Sequence, residues 1–455
     1  MSKTYCHSLF IFRRDLRLED NTGLIGALKA SDWVIPCFIF DPRQVENNPY
    51  YSGPAAQCMV ESLEDLAVQL KARGGHLSLF FGKAEDVIKE TIKKLKIDAV
   101  CVNRDYTPFS RERDWAIELA CKKAGVAFHA LDDSLLHAPE RVKKTDGNPY
   151  TLFTPFLRKS SSLRVIRPKK NAHWHYMQRE VTGLVAKEVL QDILPSRVGH
   201  AAIIGGRGEG MKILKSLKKF SAYTRTRDYP AQSTTHLSAH LKFGTISVRE
   251  AYYAIRTKLG PRSALLRQLY WRDFFTQIAF HFPHVFGHAF HKKYDGLRWS
   301  GTEARFQAWC EGRTGFPLVD AGMRELLQTG FMHNRARMVA ASFLVKDLHT
   351  DWRRGERFFA QHLADYDPAV NNGNWQRVAS TGADAQPPLR ILNPWRLQKR
   401  FDPKCAYIKR WIPELKNLPA KEIHAYVTRA APVPGYVLPI VQHEKEARAA
   451  QRMFR

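Results

Sequence analysis

Apolar residues in the first third of the chain come in short runs that suit buried strands. Ser8 to Phe12, Val34 to Phe40, Leu77 to Phe81 and Ala99 to Val102 are rich in β-branched and aromatic residues. Between them, stretches such as Ala56 to Arg73 and Arg111 to Ala124 carry apolar residues at helical spacing. A further run, V-A-F-H-A-L from Val126 to Leu131, reads as a fifth strand. Strands that alternate with helices predict an α/β region of Rossmann-like type around a five-stranded parallel sheet. Regularity then fades through a basic, polar connector to about Ile204, and from Met211 onward the pattern is mostly helical. The predicted organisation is an α/β domain over 1–135, an interdomain linker over 136–204 and an all-α domain over 205–455.

Within the helical part, polar groups crowd positions that normally carry apolar ones. Between Phe331 and Ala385 the chain reads F-M-H-N-R-A-R-M, D-W, D-Y-D-P and N-N-G-N-W-Q, a density that points to a buried ligand. Asn334, Arg337 and Met338 fall at i, i+3 and i+4, so an amide, a guanidinium and a thioether share one helix face. A buried Arg337 needs a carboxylate, which Asp365 or Asp367 can supply. Asp367 before Pro368 reads as a helix N-cap with proline at the first position, while Asn371-Asn372-Gly373 is expected to interrupt regular structure. Gln268, Trp271 and Arg272 likewise share one helix side.

Two other segments invite a phosphate reading. Thr234 to Ser238 offers three hydroxyls and consecutive amides before a helical segment, which suits a pyrophosphate or an ordinary helix cap. G-G-R-G-E-G from Gly205 to Gly210 follows a linker rather than a strand and lacks the G-K-[ST] ending, so it reads as a lead into the helix from Met211.

Bulk properties narrow the class. A chain of 455 residues, 44% apolar and with ten tryptophans, can bury two cores. Lys and Arg number 71 against 44 for Asp and Glu, a net charge of +27 that suits a polyanionic partner, nucleic acid first, or a generally basic solvated surface. Seven scattered cysteines without C-x-x-C or zinc spacing suggest neither a disulfide framework nor a metal. The N-terminal apolar run is too short for a signal peptide and nothing approaches a membrane span, so a soluble intracellular protein is expected.

The motifs taken in order resemble the photolyase/cryptochrome family. They run from F-R-R-D-L-R (Phe12 to Arg17) through T-T-H-L-S, W-R-D-F-F, E-G-R-T-G-F-P, M-H-N-R-A-R-M and N-N-G-N-W-Q to P-I-V-Q-H-E-K-E-A-R (Pro439 to Arg448), and so cover nearly the whole chain. Within the family the likeness is greatest to single-chain microbial class I enzymes that split cyclobutane pyrimidine dimers in DNA. The resemblance implies an all-α FAD-binding C-terminal domain and light-driven repair, in which an electron passes from photoexcited reduced FAD to a flipped-out dimer and returns. It implies UV-damaged DNA as partner, with no membrane and no obligate protein partner, and a monomer.

The resemblance also assigns residues. Tyr223, Thr234, Thr235, His236, Leu237 and Ser238 match positions that bind the FAD phosphates; Arg337, Asp365, Tyr366 and Asp367 match the set along the isoalloxazine, and Asn371 the residue facing N5. Asparagine at 371 favours repair, since receptors of the family carry aspartate or cysteine there. Trp375, Trp352 and Trp299 match the tryptophan chain that relays electrons, although tryptophans of a helical core more often simply pack. Trp271 matches a stacking wall for the lesion and Gln268 an edge reader. Arg227, Arg335 and Arg272 are expected at the DNA, with Arg396, Lys399 and Arg400 extending a basic track.

Asn334 and Met338 match cyclobutane-dimer enzymes, whereas the (6-4) class carries histidine at both. Two positions depart from the cyclobutane pattern: Gln268 stands where glutamate is usual, and Arg377 replaces a second wall tryptophan. Gln268 keeps (6-4) repair open as an alternative, and Arg377 a cryptochrome-like photoreceptor. A second, antenna chromophore is implied in the α/β domain. Phe109 and Ser110 replace the asparagine and glutamate of the folate contact region, which argues against folate and leaves a deazaflavin, another flavin or an empty pocket.

Overall fold

The structure is a computed structural model that describes residues 3–46, 48–178, 201–385, 387 and 390–454. Five strands, β1 (Tyr5–Phe12), β2 (Ser31–Phe40), β3 (Ser78–Phe81), β4 (Ala99–Asn103) and β5 (Ala127–Leu131), form one sheet in the order β3-β2-β1-β4-β5. Every pairing is parallel. The central strands are buried on both faces, which is why β4 reads as an uninterrupted apolar run, A-V-C-V, before Asn103. Helices Gly53–Lys71 and Pro108–Lys123 match the predicted crossovers, each opened by a hydroxyl cap and a proline in its first turn.

The stretch predicted as linker contains the helix Phe153–Ser162, whose phenylalanines at 153 and 156 are buried against the helical half. Residues 179–200 of that stretch lie outside the described residues. The glycine-rich segment is tighter than expected: a helix runs over Arg207–Lys215, and an added Cβ at Gly210 would lie 2.8 Å from Ile246 Cγ2. Glycine there serves close packing rather than a loose lead.

Beyond it the chain is helical among the described residues, and the core of this half is organised around Trp309, Trp352 and Trp375. A buried ion network joins the two halves. Arg249 donates to Asp20 Oδ2 at 2.9 Å and to Asp133 Oδ1 at 2.7 Å, while Arg17 pairs with the other oxygen of Asp133. Burial would push the Asp133 carboxyl up, but Arg17 and Arg249 hold it well below the usual range, so the interface is set by matched charge as well as apolar area. Among the described residues no helix is long and apolar enough to cross a membrane.

Candidate functional site

Helix Pro368–Ala379 is opened by Asp367, whose Oδ1 accepts the Val370 N–H at 3.1 Å with proline in the first turn, as the sequence predicts. Asn371, Asn372 and Gly373 lie inside this helix and do not interrupt it. Glycine at 373 is needed for packing, because an added Cβ would sit 2.1 Å from Phe275 Cδ1. The segment therefore stays helical while letting a neighbouring helix approach closely.

Of the two carboxylates available to Arg337, the structure selects Asp365: Arg337 Nη2 lies 3.1 and 3.0 Å from its two oxygens, and Nε donates to the Met332 carbonyl at 2.8 Å. Asp367 pairs instead with Arg14, from the loop after β1, which also donates to Asp105 at 3.2 Å. Burial would raise the Asp367 carboxyl, but Arg14, Lys242 and Arg272 outweigh it and hold the group below its ordinary value. Lys242 is itself pushed down to about 8, by burial first and then by Arg14.

Asn371 donates through Nδ2 to the Glu356 backbone carbonyl at 3.0 Å. The same amide nitrogen lies 3.4 Å from Glu356 Oε1, and burial pushes that carboxyl up to about 7. Tyr366 stacks on Tyr50 at 6.3 Å nearby.

Thr234, Thr235 and His236 line a cavity of about 570 Å³ together with Lys219 and His240. His236 takes a left-handed backbone with φ of 53° and stacks on Phe331 at 4.2 Å. The Arg337 guanidinium lies 5.3 Å from the centre of the same phenyl ring, which ties the hydroxyl-bearing segment to the Arg337 site. Leu237 is buried and its N–H reaches Thr235 Oγ1 at 3.5 Å, whereas Ser238 is exposed. Tyr223 opens the short helix Tyr223–Thr226, and burial raises its phenol despite Arg227 and Arg335.

Asn334 is exposed at the start of helix Asn334–Lys346, its amide 4.0 Å from Met338 Sδ. Arg335 Nη1 reaches the same sulfur at 3.2 Å, while its Nε and Nη2 lie 2.8 and 2.6 Å from Asp228 Oδ1. Arg227 Nε stands 3.8 Å from that oxygen. One carboxylate thus gathers both arginines expected at the DNA strand.

On helix Ala264–His281, Gln268 donates to the Ala264 carbonyl at 3.3 Å. Trp271 stacks on Phe153, and the Arg377 guanidinium carbon lies 5.1 Å from the indole centre. Arg272 turns inward, contrary to its expected place at the DNA: it donates to the Ser134 carbonyl at 2.7 Å and its side chain is only 13% exposed. Inside, it lies 3.3 Å from Asp273 Oδ1 and helps hold the Asp367 carboxyl down. Arg396, Lys399 and Arg400 do share an exposed face, opposite buried Trp395, Gln398 and Phe401.

Trp375 and Trp352 are buried on packed helices, while Trp299 is partly exposed. Trp375 fits against Gly355, one turn beyond Trp352: a Cβ on Gly355 would lie 2.3 Å from Trp375 Cη2. Trp299 contacts Phe454 at 6.3 Å.

Sequence reasoning singled out neither Glu356, Asp228 nor Arg14 as a site residue. Only Arg14 carried a signal, its place in F-R-R-D-L-R.

Two family models match the chain, one described as DNA photolyase over residues 8–172 and one as the FAD binding domain of DNA photolyase over residues 265–455. A deoxyribodipyrimidine photo-lyase of Synechococcus is 34% identical, aligned over 98% of this chain and 96% of its own. Among solved structures, an archaeal photolyase from Sulfolobus tokodaii with two FAD molecules is 44% identical, with a TM-score of 0.90 over 98% of this chain and 99% of that one. A bacterial class III photolyase from Agrobacterium tumefaciens is 32% identical, with a TM-score of 0.92 over 100% and 98%.

Proposed function

This chain belongs to the DNA photolyase family, and from that premise we propose that it repairs UV-damaged DNA with light by splitting cyclobutane pyrimidine dimers. The observation that carries the reading is the helix Pro368–Ala379. Within less than two turns it bears Asn371 backed by Glu356, the buried Trp375, and Arg377 beside Trp271.

The residues present fit FAD. Thr234, Thr235 and Ser238 would hold its phosphates beside the cavity, Arg337 with Asp365 would flank the isoalloxazine, and Asn371, its NH2 occupied by Glu356, would offer Oδ1 to a protonated ring nitrogen. Bound and reduced, FAD supplies the light-driven electron that opens the cyclobutane ring and is then regained. Trp375, Trp352 and the partly exposed Trp299 would relay electrons from the surface toward the flavin when it is bound.

At the DNA, Arg227 and Arg335 hold the strand, and the exposed Arg396, Lys399 and Arg400 extend that track over flanking phosphates. Trp271 and Arg377 receive the everted pyrimidines, with Gln268 and Asn334 donating to their edges. Neither Asn334 nor Met338 can serve as the proton donor of a histidine-dependent (6-4) route, which favours cyclobutane dimers. Arg272 supports the flavin side through its charge on Asp367.

A second chromophore fits the carboxyl ends of β1 and β4, where the strand order of the sheet reverses. Arg13 and Arg113 there share the single carboxylate of Asp114, and Arg13 Nε and Nη2 are buried without a hydrogen-bond partner. Phe109 lies under Arg43 and Arg113 at 5.3 and 5.8 Å. Buried guanidinium donors beside an aromatic ring suit an anionic, ring-bearing ligand such as a second flavin nucleotide.

The deciding experiment exposes the reduced, flavin-loaded protein to oligonucleotides carrying one defined photoproduct, in light and in darkness. Light-dependent restoration of thymine dimers alone is expected. Restoration of (6-4) products, or of neither lesion, would overturn the assignment.

A further inference from the structure

Four residues close a ring at the edge of the lesion pocket. Trp271 lies flat against Phe153, with ring centroids 3.5 Å apart and planes 8° from parallel. A face covered so closely admits no base, so Trp271 can stack an incoming pyrimidine on one face at most. The Arg377 guanidinium carbon is 5.1 Å from the centre of the same indole. Arg377 Nε donates to Asp384 Oδ2 at 3.4 Å, and the other oxygen of that carboxylate accepts the Phe153 backbone N–H at 3.1 Å. The contacts thus run from Trp271 to Arg377, Asp384 and Phe153 and back to Trp271.

Asp384 is fitted to this double task. The helix Phe153–Ser162 receives no side-chain cap from its own N-cap residue, Leu152, and the Asp384 carboxylate meets its first N–H from a distant segment. The Asp384 N–H donates to the Thr151 carbonyl at 3.1 Å, and its backbone is left-handed at φ 49°, a region that favours glycine. Two segments more than 200 residues apart are therefore pinned through one residue.

We propose that Asp384 is a positioning residue for lesion recognition, resting on the repair reading above. Where a tryptophan wall would be rigid by itself, the arginine at 377 has several rotatable bonds, and an untethered guanidinium would be disordered before binding. Held by Asp384, the guanidinium stays 5.1 Å from the indole centre and offers an everted pyrimidine pair both a stacking surface and donors for the phosphate between the two nucleotides. The ligand class is a stacked, covalently joined dipyrimidine with its bridging phosphate.

The test measures, in darkness, the Kd of the flavin-loaded protein for matched oligonucleotides with and without one thymine dimer. Asp384→Asn keeps an oxygen for the Phe153 N–H but loses the charge that holds Arg377. It is expected to weaken dimer binding about tenfold, to change undamaged binding less than about twofold, and to leave flavin content unchanged. Arg377→Gln is expected to show the same loss, and Asp384→Asn to add nothing in that background. Asp384→Glu is expected to recover part of the discrimination. Equal losses for damaged and undamaged DNA, or a full additional loss on top of Arg377→Gln, would overturn the proposal. Because these readouts compare variants with a wild type that discriminates, they fail separately from the repair reading, which falls if the wild type itself restores no dimer.

Discussion

Asn371 and Glu356 form a pair in which the amide nitrogen reaches both the backbone carbonyl of the acid, at 3.0 Å, and its carboxyl oxygen Oε1, at 3.4 Å. The acid is nearly inaccessible, 5% exposed, and burial pushes it up to about 7, with Asn371, Arg357 and Tyr50 pulling the other way.

The pair has a pH signature. Because the folded value lies above the unfolded one, the native protein holds a proton between about pH 4.5 and pH 7 that the unfolded chain has lost. Stability from this group is complete below that window and is lost as pH rises through about 7. Glu356→Gln keeps an acceptor for Asn371 and removes the titration. The variant is expected to match wild type at about pH 4 and to exceed it by roughly 1–3 kcal/mol at pH 8, read by chemical denaturation. An equal difference at both pH values would remove Glu356 as the cause.

Trp375 meets Phe359 at 4.9 Å and Trp309 at 6.2 Å, and its six-membered ring fills the space left by Gly355. Trp375→Phe preserves most of this packing but removes the oxidisable indole. Flavin content is expected to hold while the photoreduction rate falls below about a tenth of wild type. Gly355→Ala would set a Cβ 2.3 Å from Trp375 Cη2 and 2.5 Å from Leu344 Cδ2, with an expected cost of about 1–3 kcal/mol. Unchanged photoreduction in Trp375→Phe would show that electrons take another route.

What the sequence made legible is local. The five strands, the Asp367-Pro368 helix start and the shared face of Asn334 and Met338 depend on spacing, cap chemistry and alternation within a dozen residues. What it hid is long-range. Asp367 is paired by Arg14, 353 positions away, and no pattern around either residue could choose Arg14 over Arg337. Asn371-Asn372-Gly373 looks like a breaker because its residues favour turns, yet the Asp367 cap and the packing of Phe275 onto Gly373 keep it helical. Glu356 sits in a helix whose charged residues otherwise read as a solvated face, and its role follows only from the neighbour that buries it.

Asp228 holds Arg335 at 2.6 Å and stands 3.8 Å from Arg227, so the two guanidiniums proposed to hold the DNA strand are partly neutralised by one carboxylate. Replacing the carboxylate frees them for phosphate. Asp228→Asn is expected to tighten binding of undamaged DNA about 3- to 10-fold at low salt, and to steepen the slope of log K against log salt by about one. The preference for dimer-bearing DNA should fall accordingly. A salt slope equal to wild type would mean that the arginines already face phosphate in the presence of Asp228.

Arg113 gives the clearest handle on a second chromophore. Burial, and then Arg13 beside it, lower its guanidinium to about 10 against the pull of Asp114 and Asp105, and an anion at this place would relieve both arginines. Protein purified under native conditions and saturated with FAD is expected to carry about two flavins per chain, one at each site, judged from absorbance after denaturation. Arg13→Gln with Arg113→Gln should reduce the ratio to about one while leaving photoreduction through Trp375 intact, because the helical site is untouched. Loss of both flavins would show that these arginines support the fold, and a ratio of one in the wild type at saturation would show that flavin is not the second ligand.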